Sequence, residues 1–261
     1  MAQADDLQAY RDFAERLADA SREIVRAAHR RAVRGEAKGD GSPVTAVDQA
    51  VEDRIRDMIG KAFPGHGVVG EERGASSPER DFVWVIDPID GTLPFLAGFP
   101  VFGTLIALLR EGAPVLGVID MPVTEERWVG CVGRATTRNG MPARVKPCGD
   151  LASALLSTSN PDFYDEADLE VLQRLKAATS WTVYGGSCLA YAQIASGRID
   201  LGIDVAFDVF DYLALVPVIR GAGGVITDWE GAPLTLRSGD RFVAAGDGRV
   251  HARALEYLAG S

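Results

Sequence analysis

The segment FVWVIDPIDGTL, residues 82–93, constrains the fold more than any other part of the chain. Its first five residues are apolar and rich in β-branched side chains, which predicts a buried strand. Asp87 and Asp90 follow, three positions apart. Two carboxylates in a partly buried site repel each other and lose hydration, so this spacing favours a site in which cations neutralise them. An Asx turn, with Asp and Gly chosen for turn geometry, explains the same residues without a ligand.

The dipeptide Gly91-Thr92 follows the second aspartate and can open a helix. The free backbone N–H groups at the start of a helix attract an anion. Magnesium takes oxygen ligands and keeps several waters, so it suits the pair Asp87 and Asp90. Metal ions bind phosphoryl oxygens and lower the pKa of an attacking water. The first functional hypothesis is therefore a metal site beside a phosphate site.

Further carboxylates stand at the predicted ends of other elements, namely Glu71 after a short apolar run, and Asp48 and Asp211 near predicted helix starts. Strand ends that meet at one edge of a sheet can bring such groups into a single site. Each residue also has a plainer explanation. Thr45 or Asp48 can cap a helix, Asp211 can be an N-cap, and Glu71 with Glu72 can be a solvated acidic pair.

Composition excludes several classes of function. The chain has 261 residues, a net charge of −10 and a pI near 4.8, which argues against an extended nucleic-acid surface. Three widely spaced cysteines suggest buried thiols in a reducing compartment rather than disulfides or a zinc cluster. The N-terminus has neither a basic start nor an apolar run, and no stretch approaches about 18 apolar residues. We expect a cytoplasmic protein without nucleic-acid or membrane partners.

The pattern of predicted elements changes near residues 146–150. The first half, with paired helices and hairpins, is typical of an α+β unit, whereas the second half alternates short apolar runs with helical patterns, as an α/β layer does. We predict an α/β fold of two subdomains, 1–147 and 148–261, that share an interface. The elements that matter below are a helix over 5–33, a strand over 82–86, a hairpin of 100–109 with 114–119, and a helix over 211–221.

Other phosphatase chemistries fit the sequence less well. Haloacid-dehalogenase-like enzymes form a phospho-aspartate from an Asp-x-Asp pattern, whereas Pro88 and Ile89 together separate the two aspartates here. That spacing favours water, rather than Asp87, as the nucleophile. The three histidines stand in no recognisable Ser-His or Cys-His arrangement, so a serine or cysteine nucleophile is not indicated.

Four ordered motifs resemble those of the inositol-monophosphatase superfamily of magnesium-dependent, lithium-sensitive phosphomonoesterases, over nearly the whole chain. They are DGSPVTAVD at 40–48, GEE at 70–72, WVIDPIDGT at 84–92 and DYLALVPVIRGAGGVITD at 211–228. The resemblance implies the layered α-β-α-β-α sandwich of that superfamily, a small phosphomonoester as substrate, two or three magnesium ions and a homodimer.

The resemblance also implies which residues hold the metal. One magnesium ion would be bound by Glu71, Asp87 and the carbonyl of Ile89. A second would be bound by Asp87, Asp90 and Asp211. These positions match the superfamily's motifs residue by residue.

By the same resemblance, Gly91 and Thr92 would bind phosphate through backbone N–H groups. The Thr92 hydroxyl and Asp48 would orient and deprotonate the attacking water. The implied catalytic residues are therefore Asp48, Thr92 and Glu71.

Within the superfamily, residues 100–130, 133–140 and 184–201 look most like the histidinol-phosphate phosphatase branch. That branch usually has an acidic residue where Ser187 stands, a polar or basic residue at Leu93, and a lysine in the stretch that here reads AFDVF. An acid lost at Ser187 would remove a partner for an ammonium or imidazole group, which Asp204 or Asp208 would replace. Ser187 and Asp204 are therefore the candidate substrate-binding residues.

Taken together, these motifs predict a magnesium-dependent phosphomonoesterase acting on a small phosphorylated alcohol. L-Histidinol phosphate is the first choice of substrate, and inositol phosphate or another sugar phosphate is the alternative. A non-enzymatic alternative is a catalytically idle relative that binds a metal or a metabolite as a regulator. Such a protein would lack a metal ligand or a water-activating residue, and all of these residues are present.

Overall fold

The structure is a computed structural model that describes residues 4–39 and 41–259. Within these residues, α-helices surround three β-sheets. The helices are α1 Ala4–His29, α2 Ala46–Ala62, α3 Thr92–Ala97, α4 Glu166–Ala178, α5 Ser187–Ala195, α6 Val209–Tyr212, α7 Leu215–Gly221 and α8 Gly248–Leu258. Two short 3₁₀ helices span Leu151–Ser153 and Pro161–Phe163. None of the helices described is both long and apolar enough to cross a membrane.

The strands alternate with these helices along the chain. They are β1 Glu36–Ala37, β2 Pro43–Val44, β3 Gly67–Gly70, β4 Gly74–Ser76, β5 Phe82–Asp90, β6 Gly103–Arg110, β7 Ala113–Met121, β8 Glu126–Cys131, β9 Thr137–Arg138, β10 Met141–Pro142, β11 Leu155–Thr158, β12 Trp181–Tyr184, β13 Leu201–Asp204, β14 Val225–Asp228 and β15 Phe242–Ala245. The predicted hairpin is confirmed, because β6 pairs with β7 in antiparallel register.

The strands form a small hairpin and two larger sheets. An eight-stranded sheet has the order β10-β9-β8-β7-β6-β5-β3-β4, and a five-stranded sheet has the order β12-β11-β13-β15-β14. Strands β3 and β5 are parallel neighbours, and β11 is parallel to both β12 and β13. The other pairs in these sheets are antiparallel.

Helices cover both faces of each large sheet. One face of the eight-stranded sheet packs on α1 and α2 through a core that includes Leu17, Ile55 and Trp84. The other face packs on α5 and α7, and this core also contains Phe242 of the five-stranded sheet. The remaining face of the five-stranded sheet packs on α4 and α8 through residues such as Leu172. The predicted α-β-α-β-α sandwich is therefore confirmed, while the boundary between subdomains at 147 and 148 stays a prediction.

Strand β5 is an interior strand of the eight-stranded sheet, third from one edge, and is buried on both faces. Trp84 belongs to the core under α1 and α2, and Val85 to the core under α5 and α7. The strand is longer than the five residues predicted, because Asp87 and Asp90 continue the pairing with β6. The register shifts between these two aspartates, so the ladder is irregular where the carboxylates stand.

The predicted helix over 211–221 is wrong in detail, since the chain forms α6 and α7 with a break between them. Pro217 has no N–H to donate to the carbonyl of Leu213, which lies in this break. The first helix also ends at His29, before the predicted end at residue 33.

Candidate active site

The ends of the parallel strands β3 and β5 bring the first two acidic residues together. Gly70 pairs with Ile86, so Glu71 and Asp87 come next at the same level of the sheet. The Glu71 N–H donates to the Ile86 carbonyl over 3.2 Å. The two carboxyl groups are within hydrogen-bonding contact of each other. The expected convergence of these strand ends is therefore present.

An acidic cluster forms where α6 approaches β5. Oxygen atoms of Asp87, Asp90 and Asp211 all lie within 4.8 Å of one another. Asp208 caps α6, and its own N–H donates to Oδ2 of Asp211 over 2.7 Å. Asp211 therefore lies in the first turn of α6 as part of a capping box, rather than at the N-cap, and still belongs to the cluster.

Burial makes this cluster electrostatically costly. Asp87 is 1% exposed, and its Oδ1 atom has no hydrogen-bond partner among the described residues. Burial, followed by the charges of Glu71, Asp90 and Asp211, raises the pKa of Asp87 well above its ordinary value. Burial likewise raises the pKa of Asp90 to about 6, against the hydrogen bonds from Cys188.

Burial also raises the pKa of the two outer carboxyls, Glu71 and Asp211. For Asp211 the charge of Asp90 adds to this rise, whereas for Glu71 a hydrogen bond from Lys38 opposes it. Carboxylate oxygens without a protein donor are the ligands that a hard divalent cation takes. The residues present therefore fit a magnesium site, and the assignment of individual ligands to it stays a prediction.

The predicted phosphate site begins directly after β5. Gly91 has a φ of 85°, in the left-handed region, and a Cβ atom there would lie 2.6 Å from Oγ of Ser187. Only glycine fits this position without strain. The Thr92 hydroxyl donates to the carbonyl of Ile89 over 3.2 Å, so these two predicted site residues contact each other.

Asp48 lies in the first turn of α2. Thr45 caps this helix, and the N–H and hydroxyl of Thr45 both donate to Oδ2 of Asp48. The other oxygen, Oδ1, is buried and has no hydrogen-bond partner among the described residues. Burial raises the pKa of Asp48, and the charge of Glu71 adds to this rise. The predicted cap is confirmed, and Thr45 supplies it. Asp48 is 0% exposed and is not among the residues that line the cavity described below, so its part in activating water stays a prediction.

Lys38 is a site residue that the sequence reasoning missed. Its Nζ atom lies 2.7 Å from Oε1 of Glu71 and 2.7 Å from Oε1 of Glu72. Burial lowers the pKa of Lys38, but the two glutamates outweigh it and raise the pKa overall. Lys38 lies in a Gly-rich loop without helical or strand periodicity. The sequence therefore shows a positive charge just before the motif at 40–48 but does not indicate a contact with Glu71.

The two predicted substrate-binding residues are placed differently. Ser187 lines the cavity at the site, with a φ of 46° at the start of α5. Asp204 is 2% exposed and is not among the residues that line this cavity. Its oxygens accept hydrogen bonds from the Tyr191 hydroxyl at 2.5 Å and the Ser159 N–H at 2.7 Å. The structure therefore brings Ser187, but not Asp204, to the cavity.

The cavity has a volume of about 680 Å³ and joins the acidic cluster to an apolar wall. Its acidic lining residues are Glu71, Asp87, Asp90 and Asp211. Its aromatic lining residues are Phe99, Phe163, Tyr184 and Phe207, and Ser42, Ser159, Asn160 and Ser187 add neutral polar groups. None of the lining residues in the described part of the chain is a lysine or an arginine.

Comparison with known proteins shows which family this chain is similar to. The model of the inositol monophosphatase family matches residues 6–260. The bifunctional phosphatase IMPL2 of Arabidopsis thaliana is 44% identical over 93% of this chain and 72% of its own length. The histidinol-phosphatase of Mycobacterium tuberculosis is 38% identical over 76% of this chain and 79% of its own. An inositol monophosphatase structure from Zymomonas mobilis superposes with a TM-score of 0.88 at 36% identity, covering 99% of both chains.

Proposed function

Because the chain belongs to the inositol monophosphatase family and is a phosphoric monoester hydrolase, we propose that it is magnesium-dependent and that its substrate is L-histidinol phosphate. One observation carries the choice of substrate. Beyond the four carboxylates proposed to bind metal, the cavity wall carries aromatic rings and has no cationic side chain among its described lining residues. Such a lining suits a leaving group that is itself aromatic and positively charged.

The chemistry of the two candidate substrates differs most away from the phosphate. L-Histidinol phosphate carries an ammonium group and an imidazole ring, and such groups bind the faces of aromatic rings. Phe99, Phe163 and Tyr184 provide such rings in the cavity wall. An inositol ring carries hydroxyl groups around its edge, and these need hydrogen-bond partners that the rings of Phe99 and Phe163 do not supply.

In the proposed site, Asp87, Asp90 and Asp211 would hold one magnesium ion, and Glu71 with Asp87 and the Ile89 carbonyl a second. When bound, the metal supplies positive charge to the phosphoryl group and a more acidic water. Both roles require the buried carboxylates to be charged, and the cation would stabilise that charged form.

The remaining residues act on phosphate and water. Backbone N–H groups at Gly91 and Thr92 would hold the phosphoryl group. The free Oδ1 of Asp48, with its raised pKa, would take a proton from water as the water oxygen bonds to phosphorus. The phosphorus–oxygen bond to the alcohol breaks as the new bond forms, and the departing alkoxide takes up a proton from solvent water. The products are histidinol and phosphate.

Phosphate release is the direct test of this function. The purified chain would be assayed with L-histidinol phosphate and with inositol 1-phosphate, each with magnesium and with EDTA. We expect the value of kcat/KM for histidinol phosphate to be at least about tenfold higher, which corresponds to about 1.4 kcal/mol. A preference for inositol phosphate would contradict the substrate, and no effect of EDTA would contradict the metal requirement.

Inositol 1-phosphate remains the second candidate because of one feature of the cavity. Ser159, Asn160 and Ser187 are neutral polar residues in its lining, and Ser187 stands where the histidinol-phosphate phosphatase branch usually has an acid. Hydroxyl and amide groups of this kind can bind sugar hydroxyls. The assay above separates the two substrates.

A further inference from the structure

Glu52 is a buried carboxylate outside the acidic cluster. It lies on α2 and is 0% exposed. A buried carboxylate is costly unless its oxygens are fully hydrogen-bonded. The partners that Glu52 has found are therefore informative about its role.

Two of these partners are backbone N–H groups of the turn that follows β3. The Glu72 N–H donates to Oε2 of Glu52 over 2.7 Å, and the Arg73 N–H donates to Oε1 over 3.1 Å. The preceding N–H, that of Glu71, donates to the Ile86 carbonyl of β5 over 3.2 Å. The backbone amides of residues 71, 72 and 73 are thus all hydrogen-bonded. The first of them belongs to Glu71, whose side chain contacts Asp87.

The close fit extends to the last residue of β3. A Cβ atom on Gly70 would lie 2.2 Å from Oε1 of Glu52, so the carboxylate lies directly against the backbone of Gly70. The charge of Glu52 is neutralised by Arg56, one helical turn later, whose Nε donates to Oε1 over 2.7 Å. Arg56 therefore places a positive charge beside the oxygens that hold the turn.

The adjacent residue on α2 offers a natural comparison. Asp53 also binds this turn, but through the side chain of Arg73, at 2.9 Å and 2.8 Å, on the exposed surface. Asp53 thus contacts the turn without holding its backbone amides. An exposed ion pair of this kind contributes little to the position of the chain.

From these contacts we infer that Glu52 is a positioning residue for the metal site. It fixes the backbone from 71 to 73, so that the Glu71 carboxylate projects towards Asp87. The inference rests on the proposed role of Glu71 as a metal ligand. Residues that orient metal ligands from behind change metal affinity by about 10- to 100-fold when they are replaced.

Calorimetric titration of magnesium into the metal-free protein tests this inference without a substrate. In Glu52→Gln an NH₂ group replaces one acceptor oxygen and faces a backbone N–H. We expect its Kd for magnesium to rise about tenfold or more. The matched control, Asp53→Asn, keeps the backbone contacts and is expected to bind magnesium as the original chain does.

Thermal unfolding in EDTA shows whether each variant is folded. If Glu52→Gln is folded and binds magnesium with unchanged affinity, the inference is overturned. If it does not fold, Glu52→Asp replaces it, because the shorter acid keeps the charge but withdraws its oxygens from the turn. Unchanged affinity in Glu52→Asp, or an equal loss in Asp53→Asn, overturns the inference too. Weak histidinol-phosphate hydrolysis by the original chain would count against the proposed substrate alone.

Discussion

The N–H of Cys188 donates to Oδ2 of Asp90 over 2.5 Å, and this contact ties the first turn of α5 to the acidic end of β5. The adjacent residues meet as well, because Ser187 lies against Gly91. The start of helix α5 therefore contributes to the wall of the site, through Ser187. Changes at this contact should affect catalysis more than they affect the stability of the fold.

Replacement of Gly91 by alanine should reduce activity by about 100-fold, because its Cβ atom would collide with Ser187 and displace the phosphate site. Steady-state phosphate release measures this loss. Gly98, at the other end of α3, is the matched control, since its φ is 78° but a Cβ atom there meets nothing within 4 Å. Gly98→Ala should cost about 1 kcal/mol of stability and leave kcat unchanged. Equal losses of activity in the two variants would show that backbone strain causes the loss, and would contradict the role given to the contact between Gly91 and Ser187.

The Asp87→Asn variant should lose activity and gain stability in the absence of metal. The substitution keeps the shape of the side chain but removes a buried charge that three neighbouring carboxylates oppose. We expect turnover to fall by about 100-fold or more. In EDTA the midpoint of thermal unfolding should rise by about 2–4 °C. Near-normal turnover with magnesium would contradict the proposed metal site, and a lower midpoint in EDTA would contradict the electrostatic cost.

Asp204 should make stability depend on pH between about 5 and 7. Burial, offset by hydrogen bonds from Ser159 and Tyr191, raises its pKa from the usual 3.8 to about 6. Because the folded-state pKa is the higher one, the folded chain binds more protons in this range, and stability falls as the pH rises through 6. Relative to Asp204→Asn, the original chain should lose about 1 kcal/mol from pH 5 to pH 7.

Urea unfolding of the two proteins at pH 5, 6 and 7 measures this difference. Both proteins contain His66 and His251, so the contribution of these histidines cancels in the comparison. Burial lowers their pKa values, and this makes stability rise with pH, opposite to the effect of Asp204. A difference that is constant with pH would show that Asp204 is charged throughout this range.

Phe163 should contribute to the binding of the leaving group. It lines the cavity and is 48% exposed, so its ring is available to an imidazole or ammonium group. Phe163→Ala should raise KM for histidinol phosphate about fivefold, through the loss of about 1 kcal/mol of contact. Trp181→Ala is the control, because this aromatic residue is 75% exposed but does not line the cavity. Equal effects of the two substitutions on KM would argue against an aromatic subsite.

The sequence predicts the site best where local pattern and chemistry coincide. An apolar run followed by Asp87 and Asp90 predicted a buried strand, which β5 confirms, and a cation-binding end, which stays a prediction. The structure brings Asp211 to the same point. The layered fold was implied by the motifs. These features depend on residues that are neighbours in the chain, or on motifs with fixed spacing.

Contacts between distant segments could not be predicted in this way. The hydrogen bonds of Glu52 cross about 20 positions, and the ion pair of Lys38 with Glu71 crosses 33. Asp204 was expected in the cavity, but the structure directs its oxygens to Tyr191 and Ser159 instead. Such pairings arise from tertiary packing, which periodicity does not encode. The homodimer and the cytoplasmic location stay predictions.

Anomalous diffraction from crystals soaked in Mn²⁺, a stand-in for magnesium, tests the central claim most directly. The claim is that Asp87, Asp90 and Asp211 converge to hold a catalytic metal ion. It predicts an anomalous peak within about 2.5 Å of an oxygen of each of these three residues. A fully occupied manganese site elsewhere in the protein, with no anomalous peak at these three aspartates, would contradict the claim.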